Sequence, residues 1–159
     1  NYGSSSTLTS RNNSFLNTVE PAVRKWAEYT GKNVSNITSG GKAMTIIPAG
    51  RAFYLADNKY EFAGVTPYET GNTDPGAQVS TVGLKNAMGL WRDVNHASYY
   101  GCYLADAVWF EIFTGKKAGA VLPNGESVVP APTGISDAEH LARLEKLSNI
   151  AHMAVKNYN

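Results

Sequence analysis

The chain has 159 residues, 43% of them hydrophobic, and 14 Lys and Arg against 13 Asp and Glu give it a formal net charge of +1. A chain near ~150 residues holds a single domain's core without disulfide or metal, and the one cysteine, Cys102, excludes a disulfide framework or a multi-cysteine metal site. The balanced charge gives no electrostatic case for nucleic acid or an anionic membrane; no apolar run approaches the ~18 residues of a membrane span, and no basic-then-apolar signal-peptide pattern is read in the first residues given.

Asn1 to Asn13 is polar and low in complexity, and is predicted to be a flexible arm ahead of one domain over 14–159. With no starting methionine, the chain is expected to be processed or to be cut from something longer. A helix is predicted from Asn17 to Thr30, where Val19, Ala22, Val23, Trp26 and Ala27 fall at helical spacing and Gly31 supplies the stop. Pro21 is tolerable there only in the first turn. The short apolar segment Ala43 to Pro48, bounded by glycines, reads as a buried strand of a parallel sheet. Arg51 to Asp57 follows as one or two helical turns.

Asn58 to Gly89 is rich in Gly, Pro, Thr and Asn and has no sustained period, so it reads as a long loop. Ser98 to Thr114 is apolar nearly all round, which predicts a helix buried on most faces with Cys102 as a small core residue. Gly115 and Lys116-Lys117 end it. Ala118 to Ile135 contains Pro123-Asn124-Gly125 and Pro130-Ala131-Pro132, a turn and an extended crossover. Ser136 to Glu139 is a capping box opening a last helix, with Leu141, Leu144, Leu147, Ser148 and Ala151 on one face. Helices interleaved with a strand predict an α/β layer architecture.

Three histidines are candidates for chemistry. His140 and His152 read as solvated or half-buried helical residues. His96 closes Trp91-Arg92-Asp93-Val94-Asn95-His96. An Asp three residues before a His can hold one imidazole nitrogen and leave the other as general base for a hydroxyl nucleophile. Trp91, Tyr99 and Tyr100 flank this segment and are candidates for stacking on a sugar or lining an acyl pocket. No metal-ligand spacing, glycosidase carboxylate pair, phosphate-binding loop or G-x-S-x-G elbow is found. Three N-glycosylation sequons, at Asn12, Asn33 and Asn36, prove little in a chain this rich in Asn, Ser and Thr.

The run from Trp91 through Asp93, His96, Ser98, Gly101, Tyr103, Leu104 and Ala105 to Thr114-Gly115-Lys116 resembles the last conserved block of SGNH (GDSL-type) hydrolases. It is most similar to a bacterial branch of domains of unknown function. Ile47-Pro48-Ala49-Gly50 with Ala52-Phe53 resembles the "IPxGxAF" segment of that branch. The resemblance runs from about Asn17 to Asn159 and matches the C-terminal half of such a domain. It implies a partial three-layer flavodoxin-like fold, with helices packed on a small parallel sheet. It also implies hydrolysis of esters, commonly acyl groups on carbohydrates, with His96 as base and Asp93 as its orienting acid. No cofactor or metal is implied. The family's serine and oxyanion blocks have no counterpart in the sequence, so the serine is expected from a missing N-terminal segment or a second chain. Residence outside the cytoplasm, extracellular or periplasmic, is the expected setting. From a different class, a non-catalytic structural or carbohydrate-binding module of an extracellular assembly fits the low charge and polar arm.

Overall fold

A computed structural model describes residues 15–33, 45–58, 89–90 and 97–158. Its helices are α1 (Glu20–Asn33), entered through a single π-type turn at Phe15–Val19, α2 (Ala49–Asn58), α3 (Tyr99–Thr114) and α4 (Asp137–Lys156). The predicted arm 1–13 and most of the predicted loop 58–89 lie outside the described residues.

Each well-bounded helix starts and stops for a local reason. The Ser98 hydroxyl accepts from the Gly101 N–H and so caps α3. Gly115, at φ 69°, closes α3 by donating its N–H to the Glu111 carbonyl. That left-handed conformation is strained for any residue with a Cβ. Ser136 caps α4 by accepting from the Glu139 N–H, half of the predicted capping box. Asn157 ends α4 with its N–H on the Met153 and Val155 carbonyls.

The helices α3 and α4 run parallel. Tyr100 meets His140 near their N-terminal ends, and Glu111 meets His152 near their C-terminal ends. A parallel pair requires the intervening chain, 115–136, to travel back along both helices. Side chains hold that return in place: the Tyr103 hydroxyl donates to the Gly119 carbonyl (2.8 Å) and the Ser148 hydroxyl to the Ala118 carbonyl (2.6 Å). The return reverses at Pro123-Asn124-Gly125, where Gly125 takes φ 84° and Val121 pairs with Ser127 in one antiparallel bridge.

Helix α2 packs across both α3 and α4. Ala52, Leu55 and Ala56 meet Tyr100, Leu104, Ala107 and Val108 of α3 and Leu144, Leu147, Ile150 and Ala151 of α4 in one core. Each fully buried Leu or Ile contributes ~1.5–3 kcal/mol of transfer free energy, so these three helices carry the stability. Helix α1 is attached more lightly. Its only buried apolar residue among those described is Ala27, and Val23 and Trp26, predicted on the packed face, are exposed. Its tethers are polar: Glu20 pairs with Arg24 and Arg51, each at 3.4 Å, and the Arg24 guanidinium lies 3.9 Å from the Tyr158 ring centroid. Phe15 in the entry turn stacks near Tyr54 and fills the space left by the missing side chain of Gly50.

The α/β expectation is overturned. Among the described residues there are four helices and no strand, so the flavodoxin-like arrangement of helices on a small parallel sheet is not what the chain forms. The described part of the predicted strand, Thr45 to Pro48, is irregular chain leading into α2. The Ala52 N–H donates to the Pro48 carbonyl, and Ala49 donates to Ile47, so the apolar run begins the helix instead of pairing. Ile47 still packs against the core, which explains its hydrophobicity without a sheet.

The expectation that α3 is buried on most faces fails as well. Its core side is set by Tyr100, Tyr103, Leu104, Ala107, Val108 and Glu111, whereas Trp109 (45%), Phe110 (45%) and Phe113 (72%) are exposed. Cys102 lies on that outer side and is exposed, not a core residue. The three aromatics present on the order of 300 Å2, the size of the largest apolar patch on an ordinary monomer.

Candidate functional site

Trp91, Asp93 and His96 lie outside the described residues, and the structure describes the chain on either side of them. The Ser98 N–H donates to the Leu90 carbonyl (2.9 Å) and the Ser98 hydroxyl to the Gly89 carbonyl (2.5 Å), while the same oxygen accepts from Gly101 N–H (3.1 Å). Ser98 and Leu90 are completely buried. The approach is so close that a Cβ on Gly101 would sit 2.1 Å from the Leu90 oxygen. One buried serine and one glycine thus clasp Gly89-Leu90 to the first turn of α3, so the described residues on either side of 91–96 meet there.

Tyr99, the first residue of α3, is half-buried beside this clasp. Tyr100 is completely buried and its hydroxyl is engaged with His140 at 2.8 Å, so its ring belongs to the core. Burial pushes the Tyr100 hydroxyl up to about 12, against a smaller downward pull from Arg143. Burial also raises Tyr103 and Tyr158. Above pH 10 the unfolded chain therefore releases a proton that the folded Tyr100 retains. Stability is intact below pH 10 and should fall by about 1.4 kcal/mol per pH unit towards pH 12 from Tyr100 alone. Alkaline unfolding followed by tyrosinate absorbance checks this. Tyr100→Phe should flatten the loss; an unchanged slope in that variant would contradict it.

His140, expected to be solvated or half-buried, is 2% exposed and bonded at both ring nitrogens. Nδ1 lies 2.8 Å from the Tyr100 hydroxyl; Nε2 lies 2.8 Å from Ser127 Oγ and 3.0 Å from the Val129 carbonyl. A carbonyl oxygen can only accept, so the proton belongs on Nε2. The network then closes: Tyr100 donates to Nδ1, Nε2–H donates to Val129 and Ser127, and the Ser127 hydroxyl donates to Val129 (2.7 Å). The contact resembles a serine–histidine pair beside a groove of about 550 Å3 lined by Ser127, Val129, Pro130, Asp137, His140 and Leu141. With its proton on Nε2, however, the imidazole cannot take one from Ser127. His140 fastens the returning chain to α3 and α4. Sequence reasoning missed it because its partners lie 40 and 11 residues away.

His152, expected to be solvated or half-buried, is half-buried and bonds Glu111 through Nδ1 at 2.6 Å. Glu111 is buried, and its second oxygen has no partner among the described residues. The contact ties α3 to α4 near their C-terminal ends, so it also acts as a fastener. Among the described residues no group of three His, Cys, Asp or Glu could hold a metal, and no helix is long and apolar enough to cross a membrane.

No protein-family model, curated protein or solved structure matches the chain.

Proposed function

We propose that this chain supplies the histidine and aspartate of a serine-type ester hydrolase acting on O-acylated carbohydrates outside the cytoplasm. Asp93 orients His96 and stabilises its cation; His96 takes the proton of a serine hydroxyl as that oxygen attacks the ester carbonyl. The proton passes to the departing alkoxide, and the acyl-serine is then cleared by a water that His96 deprotonates in turn. The serine comes from a segment beyond this sequence or from a second chain. The reading rests on the D-x-x-H chemistry and the SGNH resemblance of its block, and needs no sheet within this chain.

The observation that carries it is the Ser98–Gly101 clasp on Gly89 and Leu90. Catalytic groups sit on loops fixed by rigid elements, and the spacing of an acid–base pair must be held within about 0.5 Å. The buried Ser98 hydroxyl ties Gly89, which precedes the segment, to the helix N-terminus that follows it, and this supports the reading.

The native protein, with its intact mass determined to reveal any serine-bearing portion, should hydrolyse an aryl acetate. Asp93→Asn should lower kcat by a factor on the order of 10,000, and His96→Ala by at least as much. No turnover by the native protein, or turnover indifferent to His96→Ala, rejects the proposal.

A second reading, the non-catalytic carbohydrate-binding module, is favoured by the exposed Trp109 and Phe113. Their rings stack with centroids 5.5 Å apart and leave faces open to solvent. On that reading soluble oligosaccharides change the tryptophan fluorescence and Trp109→Ala abolishes the response. A response that survives Trp109→Ala counts against it.

A further inference from the structure

We draw no further inference here: the strongest candidate, the exposed aromatic face of α3 formed by Trp109, Phe110 and Phe113, carries nothing because nothing in the structure shows what covers it.

Discussion

Gly101→Ala should cost more than about 4 kcal/mol or prevent folding altogether, whereas Gly115→Ala should cost only about 1 kcal/mol. Both glycines bound the same helix, but for different reasons. Gly115 sits at φ 69° with no atom within 4 Å of the place a Cβ would take, so alanine there meets only backbone strain. Gly101 is an ordinary helical residue, and alanine there would drive a carbon to 2.1 Å from the Leu90 carbonyl oxygen. That oxygen is not the end of a flexible side chain; it accepts the Ser98 N–H and is fixed. Relief requires the clasp to open, which exposes Leu90 and uncaps α3. Denaturant midpoints of the two variants check the contrast, and equal costs would refute it. Under the proposed function Gly101→Ala also frees Gly89-Leu90, which precede the segment of Asp93 and His96, from α3.

The second large effect belongs to His140. Its replacement by alanine removes the ring bonded to the Tyr100 hydroxyl and leaves a void beneath the return segment, while the Val129 carbonyl keeps the Ser127 hydroxyl. A lost bond in a buried network costs ~1–3 kcal/mol and the void left by a large-to-small change adds ~2 kcal/mol or more, so a loss of about 3–5 kcal/mol is expected. Pairing His140→Leu with Tyr100→Phe should recover part of it, because a hydroxyl that is gone needs no partner. Thermal or urea unfolding of the single and double variants measures both terms. A His140→Ala variant as stable as the parent would remove the imidazole from its place in the fold.

What could be read from the residues depended on whether the determinant was local. The Ser136–Glu139 box and Gly115 announced helix ends because caps act within four residues. The inner face of α4 was legible too, since Leu144, Leu147, Ser148 and Ala151 alternate with charged positions and are all buried. In α3 the same method had no contrast to work with. A helix apolar on every side does not say which side the core takes, and Trp109, Phe110 and Phe113 turned outward while Glu111 turned in. Ile46-Ile47 misled because a brief apolar run serves a strand or a helix entry equally well. The clasp was not legible: Ser98 was expected inside the helix it in fact caps, and its hydroxyl's bond to Gly89 and the packing of Leu90 against Gly101 depend on how the chain closes on itself.

The parallel pairing of α3 and α4 decides where this chain can change length. Glu111 lies eleven residues after Tyr100 and His152 twelve after His140, and both pairs bond. One residue added inside either span would swing its far end about 100° round the helix and carry Glu111 or His152 out of reach of its mate. The bend at Pro123–Gly125, by contrast, is exposed and makes its bonds within itself, and extra residues there cost little closure entropy. Growth, tagging and insertion therefore belong at that bend, while the two helices are fixed in length by the histidines that bolt them together.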